Sequence, residues 1–266
     1  MGCERADASR PRRHACRYGA GVTPLRLRRP TGPTADFLEQ PVPDDLDTAE
    51  AWLFRPARPV LVLGSSQRES AVDVATAAAR GIEVVRRRSG GGAVYVDPAT
   101  SLWLDVVLPA SDARWSDDVR AATTWLGEAW QRALATVGVV GEVHREGLET
   151  TPWGRLICFG SLGPGEVVQG GRKVVGVSQR RTRAGARFQC LVYAHWDPAA
   201  VLDLLDLTGS ERSAAELDLT ERAAGVGDRL AALESAILAE LGGLGGPGGI
   251  SDTALLPIVT PRPPIH

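Results

Sequence analysis

Two adjacent glycines, Gly170 and Gly171, separate two apolar segments with strand-like composition, at 166–169 and 173–177. A two-residue Gly-Gly connection is typical of a β-hairpin, because both turn positions need a positive φ. Similar short apolar segments recur at 60–63, 82–85, 93–96, 102–108, 139–143, 156–159 and 186–193. This many short strands predicts an α/β (α+β) fold, with mixed, largely antiparallel sheets and flanking helices.

Helical patterns flank these strands. The Ala-rich segment 69–80 ends at Gly81, which fits a helix C-terminus, and the amphipathic segment 116–137 begins with Ser116 as a candidate N-cap. Further helices are expected within 34–53, broken by prolines, and at 199–205 and 221–241.

The same patterns divide the chain into four regions. Residues 1–30 are rich in Arg, Pro, Gly and Ala and lack periodicity, so we expect a disordered arm. Residues 34–198 form the main α/β domain, and 199–244 form a helical extension packed on it. The Gly- and Pro-rich segment 245–266 is expected to be a flexible tail.

Composition excludes several classes of function. A net charge of −2 and a pI near 6.1 give no reason to expect nucleic acid or an anionic membrane as a partner. No apolar run approaches the roughly 18 residues of a membrane span, and no secretory signal is apparent, so we expect a cytoplasmic protein. The cysteines form no CxxC pair, and His144 and His195 are isolated, so free thiols and no metal site are expected.

Lysine occurs once, at Lys173, among 30 lysine and arginine residues. A compact ammonium can sit against a single oxygen where a planar guanidinium cannot. An arginine-biased composition could leave one lysine anywhere, but we interpret Lys173 as the centre of an active site. Side chains alternate along a strand, so Val174 is expected in the core and Lys173 on the opposite face, where a pocket could lie.

A glycine triplet follows Ser89 in segment 86–95, which reads RRRSGGGAVY. Glycines let a backbone approach a ligand closely, and successive N–H groups can point at a carboxylate or phosphate. The arginines add positive charge and Ser89 adds a hydroxyl. No GK[ST] follows, so this is not a Walker loop. On its own, the triplet is better explained as a tight turn between strands.

Cys158 lies in an apolar segment shortly before Lys173. A strand-loop-strand path could bring the two together, and a nearby ammonium would favour the nucleophilic thiolate, since a free thiol has a pKa of about 8.5. The alternative is a buried, inert thiol on an apolar strand, which is common. That alternative applies more strongly to Cys190.

These segments together resemble the lipoate–protein ligase and octanoyltransferase superfamily, which also includes biotin–protein ligase. Segment 86–95 is similar to the family's R-R-x-S-G-G-G-A-V loop, and segment 171–181, GRKVVGVSQRR, is similar to its lysine hairpin. The resemblance spans roughly residues 51–198. It implies the catalytic-domain fold of that superfamily for residues 34–198. The G-R-G-R pattern usual in the biotin branch is absent here.

The resemblance also implies roles for individual residues. The counterpart of Lys173 contacts the acyl carbonyl or an adenylate phosphate, and one branch of transferases carries a nucleophilic cysteine where Cys158 stands. The implied substrate-binding residues are Arg87, Ser89, Gly90, Gly91, Gly92, Gly176 and Gln179. Two departures weaken ATP binding: Phe188-Gln189-Cys190 replaces a His-Gly pair, and Ser101 or a neighbour replaces an Asn.

Three functional hypotheses follow from the resemblance. The first is transfer of an octanoyl or lipoyl group to a lysine of a lipoyl-domain protein, through a thioester on Cys158. The second is an ATP-dependent lipoate–protein ligase, which would need ATP and Mg²⁺ and leave Cys158 structural. The third is a non-catalytic acyl- or lipoyl-domain-binding protein. The implied partners are glycine cleavage H protein or 2-oxoacid dehydrogenase E2, with an octanoyl or lipoyl donor.

Overall fold

The computed structural model describes residues 25–243 and 251–252. The expected disordered arm therefore lies outside the described residues as far as residue 24, and the expected tail does so except at 251–252. The end of that arm differs from the expectation, because Arg26–Arg28 form a strand. This strand pairs in parallel with Glu50–Phe54 and with Ser251–Asp252, which satisfies its backbone on both sides.

The described residues contain two sheets. The strands are β1 (Arg26–Arg28), β2 (Glu50–Phe54), β3 (Val60–Leu63), β4 (Glu83–Arg86), β5 (Val94–Val96), β6 (Ser101–Pro109), β7 (Glu142–Val143), β8 (Val167–Gln169), β9 (Arg172–Arg181), β10 (Gly185–Tyr193) and β11 (Ser251–Asp252). The large sheet has the order β11-β1-β2-β6-β10-β9-β8-β7, and the small one β4-β3-β5. Within the large sheet, all pairs along the order β2-β6-β10-β9-β8-β7 are antiparallel, whereas β3 and β4 of the small sheet pair in parallel. The predicted mixed, largely antiparallel fold is therefore confirmed.

Helices flank both sheets. They are α1 (Thr34–Glu39), α2 (Val74–Ala79), α3 (Thr124–Thr136), α4 (Pro198–Leu202), α5 (Gly209–Thr220) and α6 (Leu230–Gly243). Among the described residues, no helix is both long and apolar enough to cross a lipid bilayer.

The central strand β6 is buried along its whole length because the large sheet is covered on both faces. Trp103 and Val107 belong to a core shared with the small sheet. The alternating residues belong to a second core with α3 and α6, and they are Leu102, Leu104, Val106 and Leu108. This alternation follows the two-residue period of a strand.

The predicted hairpin turn between β8 and β9 is confirmed. Gly170 and Gly171 have φ values of 57° and 79°, in the left-handed region that favours glycine. Val168 pairs with Lys173, and an irregularity between Val167 and Val168 shifts the register nearer the start of β8. The turn therefore places Lys173 directly beside β8.

Two predicted helices begin later than the pattern indicated. Helix α3 starts at Thr124 rather than near Ser116, whose carbonyl accepts a 2.6 Å hydrogen bond from Arg181 in the neighbouring strand. The segment 69–80 contains a short 3₁₀ turn and then α2, capped by Asp73. Tertiary contacts and capping override the apolar period in both places.

The helical extension also differs in detail. Helix α5 was not predicted, although Thr208 and Glu211 form a reciprocal capping box at its start. The predicted helix 221–241 begins only at Leu230, because the backbone of residues 222–224 bonds instead to that of Lys173. The carbonyl of Arg222 accepts from the N–H of Lys173, and the N–H of Ala224 donates to the carbonyl of Lys173, at 2.9 Å each. The extension thus supports the lysine strand directly.

Candidate functional site

The glycine loop after β4 is held from within by Arg87. This side chain is buried, and its Nη2 donates to the carbonyls of Gly90 and Gly92 at 2.9 and 3.0 Å. A Cβ at Gly92 would lie 2.6 Å from the backbone of Ile157, so the loop packs directly on the segment that carries Cys158. Glycine is required here for close approach of two backbones. Arg87 thus shapes the loop as well as lining the cavity beside it.

Lys173 is almost completely buried, with 3% of its surface exposed. Its Nζ donates to the carbonyl oxygens of Cys158 and Ser161 at 2.9 and 3.0 Å, and lies 2.7 Å from Oε1 of Glu166. The ring of Phe159 lies 4.8 Å from the same nitrogen. An ammonium has three N–H donors, so these three oxygens match its full capacity.

Glu166 is the partner of Lys173 that the sequence did not indicate. It is 3% exposed, and besides its ion pair with Lys173 it accepts hydrogen bonds from the N–H groups of Gly163 and Val177 at 2.7 and 2.9 Å. The only sequence signal is a carboxylate beside the apolar residues of β8, one hairpin turn away from the lysine. Because the pair is buried and satisfied by hydrogen bonds, it fixes both side chains in place.

The apolar neighbours of Cys158 predicted a strand, but Cys158 instead begins the 3₁₀ turn Cys158–Gly160. The strand prediction for 156–159 is wrong because this segment makes only an isolated bridge to the glycine loop, between Ile157 and Ala93. Cys158 is partly exposed, and its Sγ would lie 3.7 Å from a Cβ at Gly91. The thiol therefore lies against the glycine loop, while Lys173 binds the carbonyl of the same cysteine.

Two spaces meet at Cys158. An open cleft of about 1140 Å³ is lined by the glycine loop, the loop after β3, the 148–163 loop and β9, including Lys173. An inner cavity of about 30 Å³ lies behind it, among apolar residues that include Val62, Trp103 and Leu191. Cys158 lines both spaces. The inner cavity has room for about one or two water molecules.

The remaining predicted residues are distributed around these two spaces. Gly90, Gly91 and Gln179 line the cleft, and Gly176 lines the inner cavity. The hydroxyl of Ser89 is buried and bonds to Gln189 and Ser178 at 2.7 and 3.1 Å, and Ser89 does not line the cleft. Gly176 lies against the ring of Phe159, where a Cβ would be only 2.9 Å away, so it makes room for a side chain.

The other cysteine and the two histidines have different surroundings. Burial raises the pKa of the Cys190 thiol, which keeps it protonated. His144 is buried and its Nε2 lies 2.9 Å from the carbonyl of Gly147, whereas His195 is exposed. Within the described ranges, no group of three His, Cys, Asp or Glu side chains is placed to hold a metal ion.

The fold is shared with solved structures of lipoate–protein ligases. The model of the lipoyl protein ligase A/B catalytic domain matches residues 39–230, and the chain belongs to that family. A search of curated protein sequences found no match.

Solved structures share this fold. A bipartite lipoate protein ligase of Thermoplasma acidophilum, described with its E2 lipoyl domain, has a TM-score of 0.65 and 19% identity, covering 84% of each chain. A lipoate-protein ligase A bound with ATP has a TM-score of 0.61 and 20% identity, over 84% of this chain and 85% of that one. LipL1 of P. falciparum, in complex with lipoate, has a TM-score of 0.60 and 12% identity, over 86% and 65%.

Proposed function

We propose that this protein transfers an octanoyl or lipoyl group onto a specific lysine of a lipoyl-domain protein, through a thioester on Cys158. The observation that carries the proposal is the position of Cys158 between the open cleft and the inner apolar cavity. An acyl chain reaching into the cavity would leave its carbonyl near the thiol and the rest of the donor in the cleft. Such a chain must widen the cavity, because its present volume is about 30 Å³.

The proposed reaction has two steps. The Cys158 thiol loses its proton, and the resulting thiolate attacks the acyl carbonyl of a thioester donor. The bond from that carbonyl to the donor's sulfur breaks, and the donor's sulfur takes up the proton that Cys158 lost and leaves as a thiol. The amine of the acceptor lysine then attacks the thioester, and the Cys158 sulfur regains a proton as the amide forms. Dividing one acyl transfer into two easier steps is the contribution of a covalent nucleophile.

Lys173 and the glycine loop have separate tasks in this scheme. Lys173 holds the turn that carries the thiol, through the carbonyls of Cys158 and Ser161. The N–H groups of Gly90 and Gly91 donate to no backbone carbonyl among the described residues, and both glycines line the cleft. Free amides beside a nucleophile are suited to stabilising the oxyanion of a tetrahedral intermediate, a contribution of several kcal/mol when water is excluded.

The second candidate is ATP-dependent ligation of lipoate, and two observations favour it. Glu166 already neutralises Lys173 at 2.7 Å, which weakens the electrostatic support that the ammonium could give to a thiolate. The cleft is also large enough for a nucleotide. In this scheme ATP and Mg²⁺ are required, Lys173 and the glycine loop hold the acyl-adenylate, and Cys158 has no chemical role. A non-catalytic acyl-binding protein is the third candidate.

One assay separates the three candidates. The full chain is offered a lipoyl domain, or glycine cleavage H protein, with either an octanoyl-carrier donor or lipoate plus ATP and Mg²⁺. Intact mass of the acceptor reports transfer. We expect acylation from the octanoyl-carrier without ATP, at least 100-fold slower in Cys158→Ala, and unchanged within about twofold in Cys190→Ala. Transfer that needs ATP and survives Cys158→Ala selects the ligase, and binding without turnover selects the third candidate.

A further inference from the structure

A separate small cavity, of about 110 Å³, lies where the loop after α1 meets the ends of β9 and β10. Three arginines line it, Arg88, Arg180 and Arg187, and no carboxylate does. Gln189 lines both this cavity and the inner cavity described above. We refer to it as the arginine cavity.

Arg187 is the buried member of this group, with 4% of its surface exposed. Its Nε donates to Asp105 at 2.6 Å, and its Nη1 donates to the carbonyls of Phe37 and Gln40 at 3.0 Å each. The rings of Phe37 and Trp52 lie 4.5 and 5.0 Å from the guanidinium and fix its plane. The remaining nitrogen, Nη2, is buried and has no hydrogen-bond partner among the described residues.

The charges around the cavity are unbalanced. Arg180 stands directly opposite Arg187 across the β9–β10 pair, and like charges in that position repel each other. Asp105 forms an ion pair with Arg187. Arg88 lies 3.9 Å from the carboxylate of Glu39 on the surface. Of these two cationic strand partners, Arg187 is the one that pairs with the buried carboxylate of Asp105.

We propose that the arginine cavity binds a small oxyanion, a phosphate or a carboxylate. Arg180 and Arg187 both line this cavity, and Arg187 has one N–H without a partner among the described residues. Guanidinium groups are well suited to holding phosphate or carboxylate oxygens. A volume of about 110 Å³ accommodates one tetrahedral anion and not a nucleotide. Thr182, which also lines the cavity, adds a hydroxyl.

The test uses the full chain with inorganic phosphate as the probe. Thermal unfolding is followed in phosphate and in chloride at matched pH and ionic strength, and phosphate affinity is measured by calorimetry. At a phosphate concentration ten times its Kd, we expect the Tm to rise by about 3 °C relative to chloride. The exposed Arg180→Gln is used as the variant because the buried Arg187 is needed for packing.

The matched control is Arg183→Gln, which removes an exposed arginine that does not line the cavity. We expect phosphate affinity to fall at least fivefold in Arg180→Gln and to stay within twofold in Arg183→Gln. Equal losses in both variants, or no stabilisation of the wild type, would mean an adventitious ion only and overturn the proposal.

A second pair of probes identifies the source of the anion. Because Gln189 separates the arginine cavity from the inner cavity, the oxyanion could also be the far end of a bound chain. Octanedioate binding at least fivefold tighter than octanoate, with the difference lost in Arg180→Gln, assigns it to the chain end. Phosphate binding without that preference assigns it to a free anion. Neither result depends on acyl transfer, so a failure here leaves the proposed function standing.

Discussion

Two buried ion pairs are anchored on β9 and β10, which are neighbours in the large sheet, and the two pairs have different roles. Lys173 pairs with Glu166 at 2.7 Å, and Arg187 pairs with Asp105 at 2.6 Å, with all four side chains at most 5% exposed. The ammonium fills its three donors within the turn that carries Cys158. The guanidinium donates to two carbonyls at the C-terminal end of α1, and its Nη2 has no hydrogen-bond partner among the described residues. The lysine thus fixes the turn that carries Cys158, and the arginine fixes packing beside a charged cavity.

This difference explains why the single lysine of the chain is where it is. Three oxygens surround one point at Lys173, which suits a compact cation whose donors rotate freely. At Arg187 the acceptors are spread over two elements, and a planar fork between two aromatic rings reaches them all.

Removing the charge of Lys173 should have the largest effect on stability. Lys173→Met leaves Glu166 buried without a cation, and we expect the free energy of unfolding to fall by about 3–5 kcal/mol. Urea denaturation measures this loss. The double variant Lys173→Met/Glu166→Gln should recover a large part of it, because no uncompensated charge remains. A single variant as stable as the wild type contradicts the buried pair.

Exchanging the two cations should separate their roles. Lys173→Arg cannot place a fork among the three oxygens, so we expect acyl transfer to fall about 100-fold. Arg187→Lys leaves the carbonyls of Phe37 and Gln40 without a donor, and we expect a stability loss of about 2–3 kcal/mol. Kinetic assays and urea denaturation report the two effects. Full activity in Lys173→Arg would remove the special role assigned to lysine.

Gly176→Ala should crowd the side chains of Phe159 and Lys173. The added Cβ would lie 2.9 Å from the ring of Phe159 and 3.2 Å from Cε of Lys173. We expect a stability loss of about 1–3 kcal/mol and a roughly tenfold slower transfer as the ring and the lysine shift. The control is Gly147→Ala, where no atom lies within 4 Å, and it should change stability by less than about 0.5 kcal/mol.

Alkylation of the native protein should show a smaller difference, between the reaction rates of Cys158 and Cys190. Cys158 is partly exposed and lines the open cleft, whereas burial raises the pKa of the Cys190 thiol and keeps it unreactive. With iodoacetamide we expect Cys158 to react at least about tenfold faster than Cys190, as measured by peptide mass mapping. The two rates should converge in denaturant, and equal rates in the native state contradict the described burial.

The sequence predicts those parts of the site that depend on local chemistry. The hairpin turn follows from Gly170 and Gly171, and the glycine loop from the triplet at 90–92, because a positive φ or a close approach requires glycine. The capping box of α5 was also readable, since Thr208 and Glu211 have the required spacing, but a weak amphipathic pattern hid the helix.

The missed parts depend on contacts that are distant in sequence. Asp105 and Arg187 are 82 residues apart, so no local pattern links them. The role of Glu166 depends on the register shift at β8, and Cys158 lies in a turn whose apolar composition is the same as that of a strand. Short apolar segments do not distinguish these alternatives by periodicity.

The most direct test of the central claim is to trap the acyl group on the enzyme. The chain is mixed with an octanoyl-carrier donor without acceptor, quenched under denaturing conditions and analysed by intact mass and peptide mapping. We predict one octanoyl group on Cys158, released by hydroxylamine and discharged onto an added lipoyl domain. Wild-type transfer with no adduct on Cys158, at equal rate in Cys158→Ala, would contradict the account.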